Sequence, residues 1–251
     1  MILRPFLFED TSCASYLFGC TSQHKLAVVD PHVELVDSYV EAAAAIGSPI
    51  VAVLETHVQA DHLSGLPALV ERSGATAYLP VGAGVEFDHV ALADGDDVEL
   101  GNTLLRAITT PGHAPAHLAY VVADKRRGTT EPWLVFTGDS LLVGDVGRPD
   151  LHATGDPGVL ARQLHGSLQR LLELHDGVVV YPSHFGGSVC GRGLSGHPFS
   201  TIGFERLHNR ALQHPDVDSF VEALLVDVPP PPANQSAIVA TNRSGRAQQP
   251  V

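Results

Sequence analysis

Short apolar runs alternate along the chain with amphipathic stretches, and several of the apolar runs end in clusters of polar side chains. Ile50-Val51-Ala52-Val53-Leu54 is rich in β-branched residues and reads as a buried strand. Residues 15–19 and 26–30 read as two antiparallel strands joined by a turn at 21–25. Residues 76–80 make a further short strand, and 98–100 with 104–109 a hairpin around Gly101-Asn102. Strands are also predicted over 118–122, 133–137 and 178–181, the first two separated by a charged turn. Apolar Val36, Val40, Ala43 and Ala44 recur at helical spacing over 33–46, and Gly47 stops that helix. Helices are expected over 157–174, 200–213 and 216–225. A short one over 63–73 would put Asp61 near a helix N-terminus, where the dipole favours a carboxylate. A stiff proline-rich connector at 229–232 precedes apolar residues 237–240, so packing is expected to continue to about Arg243. Strands alternating with helices in both halves predict an α/β protein with two sheets face to face and helices outside.

Composition narrows the function. The 251 residues are 44% hydrophobic, enough for a sizeable core, and are read as a single domain over 1–246 with a frayed tail at 247–251. Acidic residues outnumber basic ones, 28 to 15, for a formal charge of −13, which argues against nucleic acid and anionic membrane surfaces as partners. Three cysteines do not make a disulfide framework, and Cys13 and Cys20 read as core residues. No apolar run is long enough to span a bilayer, and Pro5, Glu9 and Asp10 interrupt any signal-like segment, so a reducing cytoplasm is the expected compartment. Fourteen histidines motivate a search for a metal site.

That search leads to the strand ends. His57, Gln59, Asp61 and His62 follow the strand at 50–54. His113 follows Thr110-Pro111-Gly112, Asp139 closes Phe136-Thr137-Gly138-Asp139, and His184 closes Tyr181-Pro182-Ser183-His184. Catalytic and ligating side chains concentrate on loops held by rigid elements. Two imidazoles and one carboxylate, His57, His113 and Asp139, converging from three strands would form a facial triad with open positions opposite. That arrangement suits non-haem Fe(II), one ion per chain, although Zn²⁺ would bind the same donors more tightly if offered. Gln59 is a poor zinc ligand, being neutral and weakly basic.

These segments resemble the metallo-β-lactamase superfamily motif H-x-H-x-D-H and its later parts, with Gln59 standing where a histidine is usual. Within it the chain is most similar to the persulfide dioxygenases (sulfur dioxygenases). The segment Gly144-Asp145-Val146-Gly147-Arg148-Pro149-Asp150-Leu151 resembles a loop of that family. The stretch from Tyr181 to Gly191 resembles the branch often fused to rhodanese domains.

The resemblance implies a four-layer αββα sandwich and an oxidoreductase that takes a low-molecular-weight thiol persulfide and O2 to thiol and sulfite. Iron would be held by His57, His113 and Asp139. Asp61, His62, His184 and Gln59 would be catalytic or supporting groups, and Arg148 and Asp150 a buried pair fixing the loop behind Asp139. Cys190 and Arg192 are candidates for substrate contact, although the plainer reading of Cys190 is a small buried hydrophobe. Arg206 is a further candidate for meeting a carboxylate of the thiol. A rhodanese would be a separate partner, and a homodimer is the default expectation. Two alternatives stay open. One is a dinuclear zinc thiolester hydrolase resembling glyoxalase II, with Asp61, His62 and His184 around a second ion. The other is a non-catalytic thiol-binding scaffold.

Overall fold

The computed structural model describes residues 1–128, 130–152, 155–188, 190–191, 193–228, 230–232 and 234–246. Its first half builds a six-stranded sheet in the order β1 (Ile2–Phe8), β2 (Cys13–Cys20), β3 (Lys25–Val29), β4 (Ile50–Leu54), β5 (Thr76–Pro80), β6 (Val90–Leu92), with α1 (Val36–Ile46) and α2 (Leu66–Ser73) between strands. β3, β4, β5 and β6 pair in parallel, with α1 and α2 making the first two crossovers and a helix-free loop the third.

The second half supplies β7 (Asp97–Leu100), β8 (Thr103–Thr109), β9 (Leu118–Asp124) and β10 (Leu134–Gly138). A two-stranded ribbon, β11 (Leu141–Leu142) and β12 (Asp145–Val146), precedes α3 (Pro157–Leu171), β13 (Val179–Pro182), β14 (Ser200–Thr201), α4 (Ile202–His208), α5 (Val217–Leu225) and α6 (Gln235–Ser244). The second sheet runs β14-β13-β10-β9-β8-β7.

Residue alternation explains the layering. In β2, Tyr16 and Phe18 face the second sheet while Leu17 faces α1. In β4, Ala52 and Leu54 face inward and Val53 outward. In β9 and β10, Tyr120, Val122, Leu134 and Phe136 face inward, while Ala119, Val121 and Val135 face α3 and α5. The strands are buried on both faces, which is why they read as continuous apolar runs. The result is four layers, helices, sheet, sheet, helices, as expected. Among the described residues no helix is long and apolar enough to cross a membrane.

The structure departs from expectation at the edges. β1 was not anticipated; it carries Arg4 and Pro5, which an edge strand tolerates because one side of its ladder is unpaired. β6 lies at the other edge and has three residues, too few for an alternation to register. The short helix starts at Leu66 after Gly65, with proline in its first turn, instead of at residue 63. Asp61 therefore lies in a loop ahead of the helix and owes nothing to its dipole. The expected helix at 200–213 is α4 followed by a 3₁₀ turn, Arg210–Gln213. The tail at 247–251 lies outside the described residues.

Gly112 marks how tightly the layers close. It sits at φ +140°, and a Cβ there would collide with the backbone N, Cα and Cβ of Leu164 on α3. Gly112→Ala is therefore expected to push α3 off the sheet and destabilise the protein by about 3 kcal/mol, read as a lower denaturation midpoint.

Candidate metal centre

Four strands of two sheets end on one side of the sandwich, and each hands a functional side chain to the same place. β4 leads to His57, β8 to His113, β10 to Asp139 and β13 to His184. Two glycines make the convergence sterically feasible. Gly138 turns β10 at φ +54°, and a Cβ there would lie 2.6 Å from Thr56 Oγ1 and His117 Nε2. A Cβ at Gly147 would overlap the Asp139 carbonyl.

Asp139 is fully buried, and its two oxygens have different neighbours. Oδ1 is 2.7 Å from His184 Nδ1. Oδ2 has no hydrogen-bond partner among the described residues, yet faces His113 Nε2 at 3.5 Å and His57 Nε2 at 4.0 Å. A buried carboxylate oxygen left without a donor calls for an explanation. Donors about 2.1 Å from an ion lie at most about twice that apart, so one cation can bridge both spacings. The three residues fit a metal ion.

Surrounding bonds fix the imidazoles in the ligating tautomer. His113 Nδ1–H donates to the Arg148 carbonyl at 3.0 Å, leaving Nε2 with a free lone pair. Thr56 Oγ1 donates to Asp30, 2.9 Å from Oδ2, so its oxygen accepts from His57 Nδ1–H at 3.0 Å. Asp30 is buried and is also held by the Thr56 N–H at 2.7 Å and by the Ser183 hydroxyl. Such outer bonds orient metal-binding histidines. Burial drives the pKa of both imidazoles below the usual value, so at neutral pH they are uncharged and available as donors. Asp139, though opposed by burial, is held far below the usual carboxylate range by His184, His113 and His57.

A second group of side chains adjoins the first. His184 bridges the two carboxylates, with Nδ1 on Asp139 and Nε2 2.8 Å from Asp61 Oδ2. His62 Nδ1 is 3.0 Å from Asp61 Oδ1. Cys13 Sγ lies 3.4 Å from His62 Nδ1 and 3.4 Å from His184 Nε2. Cys190 Sγ donates to Asp61 Oδ2 at 3.5 Å. The thiols differ accordingly. Burial raises both, but His62 and His184 bring Cys13 down to about 6. The carboxylates of Asp139 and Asp61 add to burial at Cys190 and keep it protonated.

The remaining sequence candidates fall in several places. Gln59 turns away from the three donors: its amide nitrogen is 3.4 Å from Glu55 Oε2, and its Oε1 is buried with no partner among the described residues. Arg148 and Asp150 form a bidentate pair at 2.8 and 2.6 Å, which holds the loop whose carbonyl orients His113. Arg206 does not face the site; it pairs with Asp176 and bonds the carbonyls of Leu172 and Leu174. Arg192 lies outside the described residues.

Four residues at the centre carried no signal in the sequence reading. Cys13, read as core, enters because an isolated bridge pairs it with His184. His152 groups with His57 and His113, and burial lowers it to about 4. His117 accepts from the Asp139 N–H at 3.2 Å and donates to Thr110 at 2.8 Å. Asn242 on α6 donates to the carbonyls of Gln59 and His62 at 3.0 Å each and accepts from the Ser64 N–H at 3.0 Å.

The chain is similar to several known proteins. The human mitochondrial persulfide dioxygenase ETHE1 is 26% identical over 249 residues, covering 97% of this chain and 89% of that protein. A hydroxyacylglutathione hydrolase of Parasynechococcus marenigrum is 33% identical over 136 residues, covering 53% of this chain and 51% of that protein. A crystal structure of a metallo-β-lactamase from Staphylococcus aureus superposes with a TM-score of 0.91 at 30% identity, covering all of this chain and 75% of that one. ETHE1 from Myxococcus xanthus superposes with a TM-score of 0.84 at 31% identity, covering 97% and 99%. Residues 9–184 match the metallo-β-lactamase superfamily as a sequence family. With the four-layer fold and the histidine–aspartate centre at its strand ends, the chain belongs to the metallo-β-lactamase superfamily of metal-dependent enzymes.

Proposed function

We propose that this protein is a mononuclear non-haem iron persulfide dioxygenase. The observation that carries the reading is the turn of Gln59 onto Glu55, which leaves His57, His113 and Asp139 as a three-donor set with half of an ion's coordination sphere open. Similarity to the human persulfide dioxygenase over nearly the whole chain supports it. The reaction is R–S–SH + O2 + H2O giving R–SH, sulfite and two protons. Iron(II) bound by the three residues would supply the redox chemistry that no side chain offers.

The protein's own groups divide the remaining work. His57 and His113 present neutral nitrogens, and Asp139 presents its unpartnered oxygen. His184, held between Asp139 and Asp61, stores a proton 2.8 Å from Asp61 Oδ2 and can pass it toward the forming thiol. His62 holds Asp61 in place. Arg148 and Asp150 keep the His113 tautomer fixed. Cys190 groups with His113 and Asp139, close enough to meet the substrate sulfur as a neutral thiol.

A thiolester hydrolase using two zinc ions is the second reading. Asp61, His62 and His184 stand together in the way it needs, and a hydroxyacylglutathione hydrolase is among the relatives. Protein purified anaerobically is expected to hold one iron per chain and to consume oxygen with a small-molecule persulfide. Thiolester cleavage with two zinc ions and no oxygen uptake would overturn the proposal. His113→Ala is expected to lose both metal and turnover, checked by metal analysis and an oxygen electrode. Thr56→Val frees His57 Nδ1 from its acceptor, so iron affinity in a chelator competition should fall about 10- to 100-fold while the fold persists.

A further inference from the structure

Cys13 is the buried nucleophile that the proposed reaction does not use. Its sulfur lies 3.4 Å from each of two imidazole nitrogens, on His62 and His184, and 3.0 Å from Thr11 Oγ1. Both histidines also bond Asp61, so one carboxylate orients the two imidazoles about one thiol. The backbone is arranged to put it there. Ser12, just before it, takes a left-handed φ of +54°, and Cys13 is bridged to His184. Beside this group opens a cavity of about 720 Å³ whose wall includes Thr11, Asp61 and His62. Two of those, Thr11 and His62, touch the Cys13 sulfur directly, so the thiol lies immediately behind the cavity wall. Cys190 has the opposite surroundings, donating to Asp61 Oδ2 at 3.5 Å, and Cys20 is remote, among Ser22 and Asn102.

We propose that Cys13 accepts the sulfane sulfur of the persulfide substrate, giving the protein a second activity as a persulfide-to-thiol sulfurtransferase. It rests on the persulfide reading of the site for its substrate class, but not on iron or oxygen. In the first step the Cys13 sulfur, lying against the His62 and His184 nitrogens that bond Asp61, attacks the terminal sulfur of R–S–SH, and the Cys13 proton is released to the departing R–S⁻. The S–S bond of the substrate breaks and a new one forms, giving Cys13–S–SH. R–S⁻ leaves with the electron pair and takes the proton that Cys13 gives up, so R–SH is the product. In the second step an acceptor thiolate or cyanide attacks the terminal sulfur and regenerates Cys13. Sulfur changes carrier without net oxidation, so no oxidant is needed.

The test is anaerobic and separates the two activities. Protein treated with one equivalent of glutathione persulfide is digested under alkylation and mapped by mass spectrometry, and cyanide is then added to collect thiocyanate. The expected result is one added sulfur on the Cys13 peptide, with Cys20 and Cys190 unlabelled, and release of one thiocyanate per chain. His62→Asn should slow labelling of Cys13 at least tenfold, which a merely accessible thiol would not show, and circular dichroism confirms that this variant is folded. His113→Ala, with its metal site removed, should still be labelled. Oxygen uptake by the untreated protein without label on Cys13 overturns the transfer and leaves the dioxygenase standing. Label on Cys13 without oxygen uptake supports the transfer and overturns the dioxygenase. Label confined to Cys190 or Cys20 also overturns the transfer.

Discussion

A carboxylate with no access to solvent governs this structure. Removing the Asp139 charge from water is costly unless other charges and donors replace the water. His184 serves one oxygen, and the other is left to whatever His57 and His113 can hold with it. The local architecture follows from that requirement. Gly138 and Gly147 clear the space, His117 receives the Asp139 N–H, and Asp30 fixes Thr56 so that His57 presents the correct nitrogen. The sandwich is the frame that brings four strand ends within reach of that one group.

The polar groups form two connected systems with different electrical character. Around Asp139 Oδ2 the imidazoles are kept neutral by burial, which suits donation to a cation. Around Asp61 they are charged: burial opposes protonation of His62 and His184, but adjacent carboxylates and thiols outweigh it. His184 belongs to both systems and joins them. A thiol beside the second system experiences positive neighbours, and a thiol beside the carboxylates negative ones. The difference between Cys13 and Cys190 is set by a few ångströms of placement.

Much of this was legible in the sequence, and the reason is local. His57, His113, Asp139 and His184 each follow an apolar run, so a strand-end rule places them without knowing how the sheets pack. What was not legible depends on contacts between distant segments. Cys13 begins an apolar strand and looks like its neighbours until His184 pairs with it across 171 positions. His117 and His152 join the centre only once β9 and the loop after β12 are folded against β4. Gln59 could not be oriented from the motif, because its choice of Glu55 over the metal side is a matter of which buried acceptor is nearer. Edge strands β1 and β6 escaped for a different reason: one carries proline and a charge, the other is three residues long.

The contacts of Asn242 have a temporal meaning. Its amide ties together the backbone at Gln59, His62 and Ser64, a loop made some 180 positions earlier in the chain. During synthesis that loop stays open until α6 has left the ribosome and docked. The centre is therefore completed only after α6 has been made, and until then a nascent chain exposes its histidines without the enclosure that would let it trap an ion firmly.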